Sequence, residues 1–139
     1  NILIDWIPIF EDKQIDYSID IPEQPFRVRL DPDAYMRVLN NLIQNVIVHS
    51  HADKINISLS NQDGNMKIVV ADNGVGIEKD DLKHIFERLY KCDKGRSEKG
   101  SGLGLSIVHQ LVEKMNGTIT AESTPGNGTM FALYFPLAD

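Results

Sequence analysis

Polar side chains recur every four residues in one segment of the chain, at Asn41, Asn45 and His49. This spacing places them on one face of a helix. Amides are weak helix formers and exposed helix faces usually carry Lys and Glu, so the stripe favours a face that holds a ligand; a solvated polar face is the alternative. An Asn side-chain oxygen is a hard ligand of the kind that Mg²⁺ accepts.

A carboxylate and two glycines follow an apolar strand at residues 72–77, with the sequence Asp-Asn-Gly-Val-Gly-Ile. Gly74 permits a left-handed backbone, and Gly76 permits close approach of another group. A buried Asp72 at a strand end can accept a hydrogen bond from an exocyclic amine, which would select adenine over guanine. For this segment alone, a simple strand-to-helix turn is the alternative.

Two further glycine segments occur near the carboxyl end of the chain. Residues 100–105, Gly-Ser-Gly-Leu-Gly-Leu, begin a helix, where free N–H groups can meet phosphates. No strand precedes them and no Gly-Lys-Ser/Thr is present, so a Rossmann turn and a P-loop are both excluded, and a flexible hinge is the alternative. Residues 126–129, Gly-Asn-Gly-Thr, taken alone predict an ordinary hairpin turn.

Helical and alternating patterns predict the elements that position these segments. The first long helix begins at Asp31 or Pro32, with Asp31 suited to be its N-cap and Pro32 in its first turn, and it runs to about Ser50. Other helices are predicted over 3–13, 78–85 and 103–116, and strands over 15–21, 26–30, 54–61, 66–72, 117–123 and 129–135. Because hairpin turns join neighbouring strands, the sheet should be mixed or antiparallel, with helices on one face.

The composition is that of one soluble domain: 139 residues, 42% hydrophobic, with a net charge of -6. The negative charge argues against a broad nucleic-acid-binding surface. Cys92 is the only cysteine, so no internal disulfide can form and a reducing compartment is favoured. No apolar run approaches the roughly 20 residues of a membrane span, and no signal peptide is recognisable. We therefore expect a cytoplasmic domain without direct membrane contact.

In this order, the segments resemble the histidine kinase branch of the gyrase–chaperone–kinase–MutL ATPase family. The resemblance covers nearly the whole chain, and the ordered set is far more specific than any single motif. The matching segments are the asparagine box at 39–45, the first glycine motif at 72–77, the phenylalanine box at 85–91, the phosphate-loop glycine motif at 100–105, and the closing glycine motif at 126–129 with Phe131 and Phe135-Pro136.

The resemblance implies an α+β fold, the two-layer α/β sandwich called the Bergerat fold. It has a mixed, mostly antiparallel sheet with three helices on one face. Residues 1–139 would form a single ATP-binding catalytic domain, with ATP lying between the helices and a mobile lid at about 87–102.

The resemblance also implies a role for each site residue. Asn45 would ligate a Mg²⁺ that bridges the phosphates, and Lys91 stands where the family usually has an Arg that reaches the terminal phosphate; these are the two catalytic residues. Asp72 would bind the adenine amino group, supported by the Thr129 hydroxyl and a water. The full set implied to bind ATP is Asn41, Asn45, His49, Asp72, Gly74, Gly76, Ile77, Lys91, Gly100, Gly102, Leu103, Gly104, Leu105 and Thr129.

Three positions depart from related patterns. Val48 stands where the family commonly has a Lys that contacts phosphate, and Leu89 replaces the usual Phe of the phenylalanine box. Val48 keeps open the alternative of a degenerate domain that senses nucleotide or docks partners without phosphotransfer. Asn41 stands where the gyrase, MutL and chaperone branches, and the anti-sigma serine kinases, carry a water-activating Glu. An amide cannot act as a general base, so those ATPases and a serine kinase are disfavoured.

None of the four histidines lies in a phosphoacceptor-like helix with an acidic neighbour following: these are His49, His51, His84 and His109. We therefore expect the acceptor histidine on a dimerisation segment outside this sequence. The resemblance implies that the parent protein is a membrane-anchored bacterial sensor. The expected partners are that dimerisation domain and a response regulator. This domain alone should bind ATP and Mg²⁺ and hardly phosphorylate itself.

Overall fold

A computed structural model describes residues 2–21, 30–47, 52–87 and 104–137. Within these ranges the chain forms one five-stranded sheet and four helices. In chain order the elements are α1 (Ile2–Asp12), β1 (Asp16–Asp20), α2 (Pro32–Asn45), β2 (Lys54–Gln62), β3 (Asn65–Asp72), α3 (Lys79–Leu82), α4 (Gly104–Lys114), β4 (Thr118–Thr124) and β5 (Gly128–Pro136).

The strands lie in the order β1-β2-β3-β5-β4. β1 is parallel to β2, and every other neighbouring pair is antiparallel. The predicted mixed, mostly antiparallel sheet is therefore confirmed. β3 is the central strand, and its register with β5 pairs Ala71 with Met130. The carboxyl end of β3 consequently lies beside the beginning of β5, so two of the predicted site segments are neighbours.

Alternation along the strands places the apolar side chains on one face of the sheet. Val70, for example, lies between Ile57 on β2 and Phe131 on β5, and all three are buried. The helices pack on this face, because their apolar side chains belong to the same buried cluster. The buried strand residues of the cluster are Ile55, Ile57, Met66, Ile68, Val70, Ile119, Phe131, Leu133 and Phe135.

The long helix α2 begins where its sequence predicts. The Asp31 side chain accepts hydrogen bonds from the backbone N–H groups of Asp33, at 3.0 Å, and Ala34, at 3.5 Å. Pro32 occupies the first helical position, where a missing N–H costs nothing. The helix buries the side chains Val38, Leu39, Leu42 and Ile43, and it packs against α4.

Helix α4 ends at Lys114, two residues before the end predicted from the sequence. Asn116 has the left-handed conformation, with φ 61°, and the Gly117 N–H donates to the Val112 carbonyl at 2.9 Å. These are the features of a Schellman helix end. Gly117 is needed for a different reason: a Cβ there would lie 2.7 Å from the Phe135 ring.

The other predicted elements are confirmed to within a few residues, with α3 shorter than predicted. The amphipathic segment predicted over 3–13 is α1, a fourth helix beside the three that the family resemblance implies. The predicted strand at 26–30 lies almost entirely outside the described residues, as do the end of the first long helix at Ser50 and residues 88–102 of the predicted lid. None of the described helices is long and apolar enough to cross a membrane.

Candidate functional site

The carboxylate of Asp72 lies at the carboxyl end of β3, on the face of the sheet that carries the helices. Its Oδ1 accepts the backbone N–H of Gly74 at 2.8 Å, and the backbone N–H of Thr129 donates to the same carboxylate. Burial raises the pKa of Asp72 above its ordinary value, and the two N–H donors act in the opposite direction. The strand end therefore presents a partly desolvated, firmly held hydrogen-bond acceptor.

The turn between β4 and β5 packs directly on the backbone that carries Asp72. Gly128 has φ +96°, and a Cβ there would collide with the Asp72 carbonyl oxygen. The Gly126 N–H donates to the Val75 carbonyl at 2.7 Å. The segment 126–129, which alone predicts an ordinary hairpin turn, is thus one wall of the candidate site.

The glycine that uses left-handed freedom in the 72–77 segment is Gly76, with φ +76°. The sequence-based assignment of that role to Gly74 is wrong, because Gly74 does not have a positive φ. Gly76 also fulfils its predicted role of close approach, since a Cβ there would collide with the Thr124 carbonyl oxygen. Both requirements fall on one residue because Gly76 lies against the backbone of the β4–β5 turn.

A serine that the sequence did not single out connects these segments. The Ser123 hydroxyl accepts the Ile77 N–H at 2.7 Å, donates to the Gly128 carbonyl at 2.8 Å, and lies 3.0 Å from the Thr129 hydroxyl. Thr129 is itself buried. A lone serine in a strand gives no signal in the sequence, because its partners are up to 46 residues away.

Asn73 secures the other side of the same turn. Its Oδ1 accepts the backbone N–H groups of Asp53, at 3.1 Å, and Lys54, at 3.0 Å. Its Nδ2 donates to the Asp53 carboxylate at 2.6 Å. The side chain therefore fastens the turn after β3 to the start of β2, a positioning role that the sequence did not assign.

On α2, Asn41 and Asn45 are both half-buried, beside the core positions Leu42 and Ile43. The prediction that they share one face of a helix is confirmed, since α2 includes both. After Asn45 the helix widens to π-helical geometry at Val46 and Ile47. Such a widening is frequent at functional sites.

Phe86, in the segment that resembles the phenylalanine box, packs between α4 and the sheet. Its ring centroid is 5.3 Å from that of His109 and 6.4 Å from that of Phe131, with an edge-on approach to Phe131. This geometry is favourable for aromatic pairs. Phe86 therefore anchors the residue range that directly precedes the predicted lid.

The phosphate-side residues are described only in part. Gly104 begins α4, and Leu105, like Ile77, is partly buried against the core. The predicted site residues His49, Lys91, Gly100, Gly102 and Leu103 lie outside the described residues, as do Val48, Leu89 and Cys92.

Each of the two described histidines contacts a glutamate three or four residues further along the chain. His84 Nδ1 contacts Glu87, and His109 Nδ1 lies 3.3 Å from Glu113. Neither lies beside Asp72 in a described contact. Both histidines thus make surface and packing contacts.

Comparison with known proteins agrees with this arrangement. Residues 30–139 match the family model described as histidine kinase-, DNA gyrase B-, and HSP90-like ATPase. A sensor histidine kinase of Bacillus subtilis (strain 168), YcbM, is 39% identical over 126 residues, covering 88% of this chain and 40% of the relative. The chain thus spans about two fifths of that relative's length.

Solved structures share the fold. A mycobacterial sensor histidine kinase, MprB, is similar with a TM-score of 0.82 and 24% identity, over 98% of this chain and 93% of that one. Full-length ShkA in complex with AMPPNP is similar with a TM-score of 0.83 and 26% identity, over 99% of this chain and 28% of that one.

Proposed function

The chain belongs to the family of histidine kinase-, DNA gyrase B- and HSP90-like ATPases, as the ATP-binding domain of histidine kinases, and from this premise we propose its reaction. It binds Mg-ATP and donates the γ-phosphate to a histidine on a separate dimerisation domain, for relay to an aspartate of a response regulator. Residues 1–139 act as one catalytic domain with a lid at about 87–102. The similarity to ShkA, whose solved complex contains AMPPNP, supports a nucleotide ligand.

The observation that carries the proposal is the Asp72 carboxylate. It is held by the N–H groups of Gly74 and Thr129, and the Asp72 backbone is so close to Gly128 that no side chain fits between them. A fixed, partly desolvated acceptor at a strand end suits the exocyclic amine of adenine, and it disfavours a carbonyl at the same place. In this proposal Gly74, Gly76 and Ile77 shape the adenine pocket around that contact.

The phosphates belong at the other end of the site. Asn45 offers an amide oxygen for Mg²⁺, and the ion, when bound, neutralises phosphate charge. Among the described residues no three carboxylate, imidazole or thiol groups come together. A single amide ligand beside phosphate oxygens is a pattern that Mg²⁺ accepts, since it usually keeps few protein ligands. Asn41 and His49 are assigned to the nucleotide as well, because the family pattern implies that both positions contact it.

The remaining phosphate contacts come from the glycine segment and the lid. We assign the backbone of Gly100, Gly102 and Gly104 to the phosphates, since free N–H groups at the start of α4 attract anions. Leu105 positions this segment through its contact with the core, and Leu103 is assigned to the same site from the family pattern. Lys91 supplies a cation for the terminal phosphate, where it offsets charge that spreads over the transferred group.

The acceptor of the phosphoryl group follows from Asn41. An amide cannot take a proton from water at neutral pH, so hydrolysis is not what the site is built for. A neutral imidazole needs no such base, because it is already nucleophilic. Positioning and charge neutralisation are then sufficient, which suits transfer to a histidine.

A degenerate, nucleotide-sensing domain is the second candidate, and Val48 favours it. Without a lysine at that position, one positive charge near the phosphates is missing. Such a domain would bind ATP, or dock partners, without transferring phosphate.

Nucleotide binding is the first test. A fluorescent ATP analogue is titrated against the unaltered domain, with and without Mg²⁺, and against Asp72→Asn and Asn45→Ala. We expect Asp72→Asn to weaken binding about tenfold to a hundredfold, the worth of a hydrogen bond to a charged group. Asn45→Ala should abolish the Mg²⁺ dependence. Two matched controls should change neither the affinity nor its Mg²⁺ dependence. They are Asp63→Asn in the exposed β2–β3 turn and Gln44→Ala on the exposed side of α2. No binding at millimolar nucleotide would contradict the proposal.

Phosphotransfer separates the two candidates. The domain is mixed with γ-labelled ATP and a dimerisation domain, either that of the parent protein or that of the Bacillus subtilis relative. A kinase labels the histidine of the added domain, and Asn45→Ala abolishes the label. Binding without any label, even in Val48→Lys, would establish the degenerate domain instead.

A further inference from the structure

Ser123 lies where the three segments of the adenine side meet. Its hydroxyl accepts the Ile77 N–H at 2.7 Å, donates to the Gly128 carbonyl at 2.8 Å, and lies 3.0 Å from the Thr129 hydroxyl. One side chain thus contacts both the segment after Gly76 and the strand start that reaches Asp72. Neither the family match nor the proposed function gives this serine a role.

The protons of these groups can be counted. A serine hydroxyl has one proton and two lone pairs. The Gly128 carbonyl can only accept, so it takes the Ser123 proton, and the Ile77 N–H occupies one lone pair of Ser123. The contact between the two hydroxyls is then a hydrogen bond only if Thr129 donates to the second lone pair of Ser123. The proton of the Thr129 hydroxyl is therefore used in the hydrogen bond to Ser123.

This hydrogen bond limits the contacts that the Thr129 hydroxyl can make with a ligand. With its proton held by Ser123, the hydroxyl can only accept further hydrogen bonds, directly or through a water. Thr129 is 6% exposed, so bulk water is not freely available to reorient the hydroxyl. Its backbone N–H is bound to the Asp72 carboxylate, which is also an acceptor. In the proposed site, the Asp72 carboxylate and the Thr129 hydroxyl are then two acceptors available to the same part of the base.

We propose that Ser123 is a specificity-determining positioning residue, which fixes the Thr129 hydroxyl as an acceptor beside Asp72 and thereby favours 6-amino purines over 6-oxo purines. A 6-amino group donates to both acceptors. A 6-oxo group would instead place its own lone pairs against a lone pair of the Thr129 hydroxyl. It should bind less tightly, because burying an acceptor without a donor is costly. The inference rests on the proposed function, since it concerns the base that occupies the same site.

The test compares ATP with inosine triphosphate, which has a 6-oxo group in place of the 6-amino group. Dissociation constants for both are measured by competition against the fluorescent ATP analogue, and the quantity of interest is their ratio. Ser123→Ala frees the Thr129 proton to serve the 6-oxo group. We expect it to reduce the preference for ATP about fivefold to tenfold, the worth of one hydrogen bond. Ser123→Thr, which keeps the hydroxyl, and Ser60→Ala, on an exposed part of β2, should keep the preference.

Thr129→Val supplies the second arm. It removes the hydroxyl with little change of shape, so it should reduce the preference as well. Adding Ser123→Ala to Thr129→Val should then change the ratio no further, because the serine acts through the threonine. A merely structural serine would weaken both nucleotides equally and leave the ratio unchanged in Ser123→Ala, and that result would overturn the inference.

Thr129→Val also gives a decisive result if Ser123→Ala fails to fold. In that event an unchanged ratio in Thr129→Val overturns the inference, and a reduced ratio supports it. Failure of the proposed function has a different signature: the unaltered domain would bind neither nucleotide. If the unaltered domain binds ATP but the variants leave the ratio unchanged, the inference alone is wrong.

Discussion

The turns of the two hairpins have similar residues but different structural roles. The β2–β3 turn contains Asp63 with φ 53° and Gly64 with φ +82°, and a Cβ on Gly64 would meet no atom within 4 Å. The β4–β5 turn contains Gly128 with φ +96°, where a Cβ would collide with the Asp72 backbone. Both turns need left-handed backbone. Only the second must also leave room for another segment, so glycine there serves packing as well as conformation.

The difference follows from what lies at each end of β3. Asn65, beside the first turn, pairs with Pro136 at the end of β5, and the Leu137 N–H donates to the Gly64 carbonyl at 3.1 Å. This end only closes the sheet. Asp72, at the other end, carries the carboxylate of the candidate site, and the second turn holds it in place. A turn thus becomes part of a site when a functional residue ends the neighbouring strand.

The largest expected effect is that of Gly128→Ala. The added methyl group must displace the Asp72 carbonyl and adopt a strained φ, so we expect a loss of about 3 kcal/mol or more in the free energy of unfolding. Urea denaturation measures it. Gly126→Ala, in the same turn with φ +84° but with open space around it, should cost about 1–2 kcal/mol. Equal losses in the two variants would refute the collision.

The next effect is a pH dependence of nucleotide binding. Because burial raises the pKa of Asp72, protonation should remove the acceptor at a higher pH than for an exposed aspartate. Affinity should then fall about tenfold for each pH unit below that pKa. Binding is titrated from neutral to acidic pH in the unaltered domain and in Asp72→Asn. The part of the dependence that Asp72→Asn abolishes belongs to Asp72; identical profiles would show that the carboxylate does not meet the nucleotide.

A smaller effect is expected at the first turn. Gly64→Ala keeps open space around the new methyl group, so only the left-handed conformation is penalised, by about 1 kcal/mol. Thermal unfolding measures the loss. ATP affinity should not change, because this turn lies at the opposite end of β3 from Asp72. A changed affinity would mean that the two ends of the strand are coupled.

The smallest effect is on stability at neutral pH in Asp72→Asn. The folded protein holds the Asp72 proton more tightly than the unfolded chain does. Stability from this group is therefore present below the unfolded pKa and decreases as the pH rises through the raised, folded value. At neutral pH the carboxylate opposes folding, so Asp72→Asn should melt at the same temperature or slightly higher. A clearly lower melting temperature at neutral pH would contradict the assigned direction.

Much of the fold could be predicted because its signals are local. The cap of α2 at Asp31, the alternating strands and the hairpin turns depend on residues close together in the chain. The family was recognisable because its motifs follow in a characteristic order, and the Asn41 and Asn45 stripe follows from helical spacing. The left-handed role of Gly76 was assigned to Gly74, and the end of α4 at Lys114 was placed two residues too late. Such errors of one or two residues arise because the backbone φ of a residue depends on the segments that pack against it.

By itself the sequence determined the order of elements, the single apolar face of each strand, the family and the identity of Asp72 as a candidate acceptor. Periodicity and turn chemistry are encoded within a few residues, so they can be read along the chain. Only the tertiary structure decided that the β4–β5 turn packs on the Asp72 backbone, that Ser123 joins Ile77, Gly128 and Thr129, and that Asn73 fastens the start of β2. Those contacts link residues far apart in the chain, and hydrogen bonds and steric limits between them exist only after the sheet has formed.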